Sequence, residues 1–423
     1  MKKFKLLGVV VAAAVFSLNS CSDTIGNETP STTTTQLWPA YSSSADLYGY
    51  INKKGEWVIP AQFSGASSFY SSGYAQVEIN GRTVFIDKQG KVQNTASFDS
   101  SRPFYYGYAV ATLNGNYGLI DSKFNYVIPP VYTYLSDMSK DGLVVYKAAS
   151  DNYGYMDKNG NVLMRNGRPV FYEEANEFVD GYAVVCENTS TISSNNTRRI
   201  PTYTLIDTKG EVIVQDGRYM YMKNMGKGII AVVDYNLYSE SPYDWYLYSV
   251  KEQRTISGRS YNSVSPFSND GVAVVGLAEK TGTYSTHWAY GYIDAEGSQA
   301  ISIRYDRANT SSDGYAWVEQ EDEYALYDVK TGTRVLQLQY VSGYVTEVPL
   351  CGVHNGLTLI RKRTYYSNET EIEYRWADVT DNNKTVFSWT IDNNKNRGSL
   401  NPSWAPARNV EGELGISEFV YLH

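Results

Sequence analysis

Three histidines occur in the 423-residue chain, and their positions do not predict a metal site. They are His287, His354 and His423, which share no spacing. Zinc sites draw their Cys and His ligands from short, recurring spacings, and this sequence has none of them. The sequence also lacks a Gly-x-Ser-x-Gly element, a phosphate-binding loop and a Cys-His pairing signal. We therefore predict neither a metal nor a cofactor.

Two clusters of carboxylates have the residue types that glycoside hydrolysis needs, which are paired Asp or Glu side chains. They are Glu173-Glu174 and Glu319, Glu321, Asp322 and Glu323. The second cluster runs from a strand signal into a hairpin signal, where charged side chains are usually solvated. Elsewhere Asp residues recur at turns, and the sequence after Asp157 lacks the alternating oxygen ligands of a calcium loop. We predict a protein that is not an enzyme, with a glycoside-active enzyme as an alternative.

A short pattern recurs from Tyr48 almost to the end of the chain, at intervals of roughly 34 to 52 residues, which is typical of stacked supersecondary units. A complete copy reads Tyr117-Gly118-Leu119-Ile120-Asp121, then Val127-Ile128-Pro129-Pro130, then Asp141-Gly142-Leu143-Val144-Val145. We count about nine such units, the last ones diverged. Their first strands begin near Tyr48, Thr83, Tyr117, Tyr153, Tyr203, Tyr246, Tyr290, Tyr324 and Trp376.

Each unit contains three strand signals, which we call strands a, b and c. Strand a resembles Tyr-Gly-Tyr-Ile, strand b resembles Val-Ile-Pro, and strand c resembles Gly-Tyr-Ala-Val-Val. Between a and b, an Asp such as Asp157 caps its own turn and a Gly such as Gly160 supplies a positive φ. Asn-Gly pairs such as Asn80-Gly81 connect c to the next a. These signals predict an all-β chain of tandem antiparallel β-meander repeats.

The three motifs together resemble the WG-containing repeat of bacterial proteins, with Tyr in place of Trp in most copies. The resemblance covers nearly all of Tyr48 to Val318 and implies a repeat scaffold with no assigned chemistry. Small antiparallel sheets favour a β-propeller over residues 48–423, because a ring leaves few exposed edges. An open β-solenoid or superhelical repeat array is the alternative. We expect Glu418–Leu422 to close the ring as a strand c beside the strand at Tyr48.

The N-terminus has the features of a bacterial lipoprotein signal peptide over residues 1–20. Lys2, Lys3 and Lys5 precede the apolar segment from Leu6 to Phe16, which is too short to span a bilayer. Leu18-Asn19-Ser20-Cys21 resembles a lipobox, which implies that Cys21 is lipidated and anchors the chain. Residues 21–47 are predicted to be a flexible Ser/Thr-rich tether. Asp23 and Glu28 resemble the surface-export signal of Bacteroides-group lipoproteins, so we expect an outer membrane lipoprotein on the cell surface or the periplasmic side.

The chain is acidic, which argues against nucleic acid as a partner. Removal of the three leader lysines takes the formal net charge from -8 to -11. After Cys21 only Cys186 and Cys351 remain, about 165 residues apart and at non-equivalent repeat positions. We expect two buried thiols, although a disulfide is possible outside the cytosol.

Four units are longer than the others, and their extra residues all enter between strands c and a. The insertions are Glu187–Thr202, Asp234–Trp245, Ala278–Ala289 and Arg361–Arg375. Equivalent insertions in a repeat array project from one face, and we call this the insertion face. Its candidate ligand-binding residues are Tyr235, Tyr238, Tyr243, Trp245, Tyr284, His287, Trp288, Tyr365 and Tyr366.

Aromatic rings with polar tips suit both sugar rings and protein hot spots. The sequence thus predicts a non-catalytic repeat binding module or scaffold, with a glycan or an envelope protein as its ligand. Two alternatives are open: the protein is a structural component of a cell-envelope assembly, or the insertions are merely longer hairpins whose Tyr residues pair across strands.

Overall fold

The computed structural model describes residues 36–70, 72–93, 98–147, 152–191, 199–214, 219–234, 244–280, 286–366 and 370–391. Their regular secondary structure consists entirely of β-strands, so the all-β prediction is confirmed for these residues. They belong to the compact unit Gln36–His423, and the other unit is Met1–Thr35. Cys21 and the predicted closing strand at Glu418–Leu422 lie outside the described residues.

The first four sheets follow one another along the chain. The first contains β1 (Trp38–Ser42), β2 (Leu47–Ile51) and β3 (Trp57–Phe63). The second contains β4 (Gly65–Ala66), β5 (Ala75–Ile79) and β6 (Arg82–Ile86). The third contains β7 (Ser100–Ser101), β8 (Tyr108–Leu113), β9 (Asn116–Asp121) and β10 (Tyr126–Tyr132). The fourth contains β11 (Leu143–Lys147) and β12 (Tyr153–Asp157), followed by the small hairpin of β13 (Met164–Arg165) and β14 (Arg168–Pro169).

The remaining sheets repeat this meander, with every pairing antiparallel. The fifth contains β15 (Glu174–Ala175), β16 (Tyr182–Thr191), β17 (Arg199–Asp207) and β18 (Val212–Val214). The sixth contains β19 (Tyr219–Gly226), β20 (Ile229–Asp234), β21 (Tyr246–Ser249) and β22 (Arg254–Thr255). The seventh contains β23 (Ser263–Val264), β24 (Val272–Lys280), β25 (Thr286–Asp294) and β26 (Gln299–Tyr305). The eighth contains β27 (Arg307–Ala308), β28 (Tyr315–Gln320), β29 (Glu323–Asp328) and β30 (Thr333–Gln337). The ninth contains β31 (Tyr340–Val341), β32 (Val345–Pro349), β33 (Leu357–Tyr365), β34 (Thr370–Asp378) and β35 (Lys384–Ile391).

Hydrophobic clusters fill the junctions between neighbouring sheets. One cluster joins the first sheet to the second, with Tyr50 and Val77 among its members. Others join each following pair, up to the eighth and ninth sheets. A further cluster joins the ninth sheet back to the first, with Trp376 and Trp389 packed beside Trp38. Antiparallel meander sheets packed face to face in a closed ring form a β-propeller, so the predicted architecture is confirmed over the open array.

Strands c and a are present in every sheet, whereas strand b is an isolated bridge in the second and fourth sheets. Most of the other sheets have more strands than the three that the sequence predicted. All nine predicted first strands lie in strands of the structure: β2, β6, β9, β12, β17, β21, β25, β29 and β34. A very short strand precedes strand c in most sheets, as β7 precedes β8 in the third. Two-residue strands such as Ser100–Ser101 are too short to show a periodic hydrophobic pattern, which is why the sequence does not predict them.

Side chains in the segments that precede strand c bind the backbone of strand c. Ser67, Ser136 and Ser265 each accept a hydrogen bond from a strand c N–H, at 2.8 to 2.9 Å. Cys351 takes the equivalent position in the ninth sheet, where its Sγ accepts from the Leu359 N–H at 3.1 Å. Burial raises the pKa of the Cys351 thiol to about 11. Cys186 is also a buried thiol, so the two cysteines do not form a disulfide.

The a-to-b turns have the predicted geometry. The carboxylate of Asp157 accepts hydrogen bonds from the N–H groups of Asn159 at 2.8 Å and Asn161 at 2.9 Å. Gly160 has φ 79°, in the left-handed region that glycine adopts without steric cost. The same Asp capping recurs at Asp87 and Asp294. Asn159 and Asn161 also hold the pKa of the Asp157 carboxyl below its usual value, through their hydrogen bonds and against the opposing effect of burial.

Asp side chains on the turns before strand c connect neighbouring sheets. Asp180 accepts a hydrogen bond from the Lys227 N–H at 2.7 Å, which joins the fifth sheet to the sixth. Asp270 accepts from the Gly314 N–H at 2.9 Å, joining the seventh to the eighth. Asp313 accepts from the Gly356 N–H at 2.8 Å, joining the eighth to the ninth. Each Asp therefore satisfies a backbone donor of the next turn around the ring, and the sequence alone gave no sign of this.

The N-terminal boundary of the fold differs from the predicted one. Trp38–Ser42, inside the segment assigned to the flexible tether, forms β1 and pairs with β2 from Trp38↔Ile51 to Ser42↔Leu47. Since β3 pairs along the other edge of β2, the described residues occupy both edges. The position beside Tyr48 that we expected Glu418–Leu422 to fill as strand c is therefore taken by β1. The folded part begins at least ten residues before Tyr48.

Candidate functional site

Three of the four predicted insertions are extended hairpins at the c-to-a connections, namely β16–β17, β24–β25 and β33–β34. Most of the fourth, between β20 and β21, lies outside the described residues. Strand β16 has 10 residues and strands β24 and β33 have 9, against 5 in β5 and 6 in β8. The c-to-a hairpins lie at one end of every sheet and the a-to-b turns at the other, so the extensions project from a single face. In these three hairpins much of the described inserted sequence is therefore strand, as the longer-hairpin alternative expected.

The candidate residues are only partly described. Tyr235, Tyr238, Tyr243 and Tyr284 lie outside the described residues. The described candidates are Trp245 on the sixth sheet, His287 and Trp288 on the seventh, and Tyr365 and Tyr366 on the ninth.

Trp245 belongs to a series of aromatic rings that crosses from the fifth to the sixth sheet. Its ring centroid lies 6.5 Å from that of Tyr221, and Tyr221 lies 6.1 Å from Tyr203. All three side chains are half-buried. The Tyr203 hydroxyl donates to Glu174 at 3.2 Å, and burial together with that carboxylate raises the pKa of Tyr203. The three rings offer a continuous aromatic surface with polar tips, suited to stacking.

Trp288 forms a second aromatic pair on the seventh sheet. Its ring is stacked on Tyr290 with centroids 6.0 Å apart and planes 9° from parallel. The two residues are i and i+2 on β25, so they share one face of the strand. The neighbouring His287 is exposed and lies opposite Glu279 in the ladder. Among the described residues, the ring of Trp245 contacts Tyr221 and that of Trp288 contacts Tyr290, so the two predicted tryptophans belong to separate aromatic groups.

The ninth sheet has a group of exposed tyrosines. Tyr365 and Tyr366 are 38 % and 58 % exposed, and Tyr344, which the sequence did not single out, is 67 % exposed. The Tyr365 N–H donates to the Tyr344 carbonyl at 2.8 Å, which holds the two residues together. The Tyr366 hydroxyl donates to Glu371 at 3.3 Å, and the negative charge of that carboxylate raises the pKa of Tyr366.

The carboxylate clusters serve local structure. Glu319 is 3 % exposed and forms an ion pair with Arg307 at 3.0 Å. Burial, followed by the hydrogen bond and charge of Glu319, raises the pKa of Tyr324. Glu321 and Asp322 have φ of 53° and 65°, because they form the turn between β28 and β29. Within the described residues no group of three or more His, Cys, Asp or Glu side chains is placed to hold a metal ion. The same residues include no helix capable of crossing a membrane.

Comparison with a protein-family model identifies the repeat at four places. The model of the WG containing repeat matches residues 48–82, 85–117, 117–148 and 290–324. These segments are the first three units and the seventh, which supports a WG-repeat protein. No curated protein matches this chain.

Solved structures with similar architecture are distant in sequence. A eukaryotic initiation factor has a TM-score of 0.37 at 13% identity, covering 67% of this chain and 84% of that chain. An uncharacterized protein from Listeria monocytogenes has a TM-score of 0.38 at 11% identity, covering 64% of this chain and 93% of that chain. A protein of unknown function from Bacteroides caccae has a TM-score of 0.24 at 10% identity, covering 55% of this chain and 90% of that chain. Likeness at this level carries no functional argument.

Proposed function

We propose that this protein is a membrane-anchored, extracytoplasmic binding module whose insertion face binds a glycan or an envelope protein. The observation that supports the proposal is the asymmetry of the ring. The a-to-b turns are short, uniform and closed by Asp capping, as at Asp157. The c-to-a hairpins differ in length and bear the aromatic rings of Trp245 and Trp288. A varied aromatic surface on a rigid scaffold is typical of binding, while a uniform hydrated face is not.

The polar aromatic character of the insertion face favours a glycan over a protein ligand. Tyr and Trp offer flat apolar faces to sugar rings, with a hydroxyl or N–H at the edge. The net charge of -8 favours a neutral ligand for most of this face and disfavours nucleic acid. A glycan array run beside an affinity pull-down from intact envelopes tests both ligand classes. Capture of envelope machinery without any glycan signal would favour the structural-component alternative.

Replacing Trp245 and Trp288 by alanine is expected to abolish ligand binding while the ring stays folded. Each lost anchor is expected to cost roughly 2 kcal/mol of binding free energy if it is a hot spot. Lys88→Ala and Lys158→Ala, on the a-to-b turns of the opposite face, are the matched controls and should leave affinity unchanged. Titration calorimetry with the strongest array ligand measures the difference. Loss of binding in the lysine variants with retention in the tryptophan variants would reverse the proposed orientation.

The proposed anchor is a lipid on Cys21, which would hold the ring at the outer membrane on the cell surface or the periplasmic side. The charged and apolar leader ending in Cys21 supports this proposal. Cys21→Ser is expected to move the protein from the membrane fraction to the soluble fraction, because a leader without the lipid gives no stable anchoring. Fractionation followed by immunoblotting measures the shift, with Cys351→Ser as the control. Unchanged membrane association of the Cys21 variant would rule the anchor out.

A further inference from the structure

We propose that the junction between the ninth and first sheets contains a binding site for a single anionic group, which we assign to the carboxylate of an acidic saccharide. We call it the seam site and define it by Arg361, Arg363, Tyr365 and Tyr374. The saccharide assignment rests on the proposed binding function, whereas the anion site itself does not.

The two arginines share one face of β33, the face directed at the first sheet. Side chains alternate along a strand, so Leu359, Arg361 and Arg363 point the same way. Leu359 packs in the cluster that contains Trp38 of the first sheet. Ile360, one residue on, packs in the cluster shared with the eighth sheet. The guanidinium groups therefore line the junction at which the ring closes.

Charge on the opposite face of the ninth sheet is balanced. Lys362 lies between Glu347 on β32 and Glu373 on β34 in the ladder. Arg375 forms an ion pair with Glu347 at 3.3 Å. Each cation on that face therefore has a carboxylate beside it.

The seam face has no such balance. The ladder neighbours of Arg361 are Val348 and Tyr374. Those of Arg363 are Thr346 and Ile372. Among the described residues no carboxylate lies within ion-pair distance of either arginine, and the Nε atom of each is buried without a hydrogen-bond partner.

The Arg361 guanidinium group shares a side-chain hydrogen bond with the Tyr374 hydroxyl, which is neutral. Two like charges without a carboxylate partner at a half-buried position are costly, and an anion would lower that cost. Burial lowers the pKa of Arg361, and the charge of Arg363 lowers it further. A buried N–H donor without a partner loses its hydration and gains nothing in return. A carboxylate matches the planar donor fork of a guanidinium group with two parallel hydrogen bonds. The site is thus complementary to one small planar anion.

Aromatic rings line the junction, beginning with Tyr374, which is the ladder neighbour of Arg361. Tyr374 is stacked on Trp389 with centroids 5.5 Å apart and planes 11° from parallel. Across the junction, Tyr48 lies against Tyr41 at 5.1 Å. Asp46 on that side accepts a hydrogen bond from the Tyr41 hydroxyl. Tyr365, next on the arginine face, is 38 % exposed at the end of the hairpin and provides a surface for an adjoining sugar ring.

The charge of the whole chain limits the kind of anion. A protein with net charge -8 repels a polyanion at long range. A single carboxylate is repelled less, and at short range it is attracted by the two arginines. The seam site therefore fits one terminal acidic sugar on an otherwise neutral chain rather than a nucleic acid or a heavily sulfated polymer.

The test compares the wild-type protein with Arg361→Gln, Arg363→Gln and the double variant, using Lys362→Gln on the opposite face as the control. The probes are an oligosaccharide ending in glucuronate, the same oligosaccharide ending in glucose, and inorganic sulfate, each measured by calorimetry. We expect the glucuronate probe to bind the double variant at least about tenfold more weakly than it binds the wild-type protein. Lys362→Gln should bind the glucuronate probe as the wild-type protein does, and the affinity of the glucose probe should be the same for the wild-type protein and every variant. Arg363→Lys, which keeps the charge but loses the planar fork, is expected to be intermediate and guards against a folding defect.

The outcomes separate this proposal from the general binding function. Arginine-dependent binding of sulfate without binding of glucuronate would support the anion site and overturn the saccharide assignment. Equal binding of the anionic probes to wild-type protein and double variant would overturn the seam site and leave the aromatic insertion face untouched. Binding of neither anionic probe to the wild-type protein would overturn the seam site as well.

Discussion

Replacing Trp38 by alanine is expected to destabilise the protein by about 3 to 5 kcal/mol, the cost of removing a fully buried aromatic side chain from a core. Trp38 is 2 % exposed and packs with Trp376 and Trp389 in the cluster that closes the ring. Beside it, the Trp376 indole N–H donates to the Pro39 carbonyl at 2.9 Å. Because the Trp38 indole nitrogen has no hydrogen-bond partner among the described residues, the loss is one of packing. The denaturation midpoint followed by far-ultraviolet circular dichroism measures it.

Trp57→Ala is the matched control for this substitution. Trp57 lies in the same sheet and also faces the ninth sheet, with its ring 5.2 Å from Phe387, but it is 38 % exposed. Its removal is expected to cost about 1 kcal/mol, since water already covers much of the side chain. If both substitutions lowered the denaturation midpoint equally, burial of Trp38 at the junction between the first and ninth sheets would not be what stabilises the closed ring.

Replacing Gly118 by valine is expected to cost about 3 kcal/mol, because the added carbon would overlap the backbone of the next strand. A Cβ at Gly118 would lie 2.7 Å from the Ile128 carbonyl oxygen and 2.8 Å from the Pro130 nitrogen. Strand β10 is bulged between Tyr126 and Ile128 and again beyond Ile128, which is where it approaches the glycine. Backbone atoms cannot move aside as a side-chain tip can, so the bulge has to be displaced. Thermal unfolding monitored by circular dichroism measures the effect.

Gly160→Val separates this overlap from the ordinary strain of a positive φ. Gly160 has φ 79°, but no atom lies within 4 Å of a Cβ placed there. Strain alone is expected to cost on the order of 1 kcal/mol. Were Gly160→Val the more destabilising of the two, the close approach of β10 would not be the reason for the Tyr-Gly pair.

The sequence predicted which face of the ring contains the candidate site, but not which side chains form it. Extra residues between strands c and a were visible because the repeat defines where each connection should end, and the structure has the extended hairpins at those connections. Which side chains meet was not predictable. Trp245 lies against Tyr221 and Trp288 against Tyr290, and these contacts depend on how each strand is twisted and packed. The nearest available signal for the seam site was the alternation of Arg361, Lys362 and Arg363, which assigns two like charges to one strand face.

The sequence by itself determined the features that are local and repeated. The Asp and Gly of the a-to-b turns, the alternation of strand c, and the Tyr-Gly pair act over a few residues, so their chemistry specifies the meander wherever they occur. The family model matches the units in which these motifs are most complete.

Only the tertiary structure decided the features that join distant parts of the chain. Trp38 lies outside the repeat units that the sequence predicted, yet it packs with Trp376 of the last sheet. The Asp180 and Asp313 contacts likewise cross from one sheet to the next. A single strand at the end of an array has no copy to be compared with, and its pairing depends on the geometry of the closed ring rather than on its own residues. The charge imbalance around Arg361 and Arg363 involves the same closure, because the first sheet packs against a face whose described residues include no carboxylate.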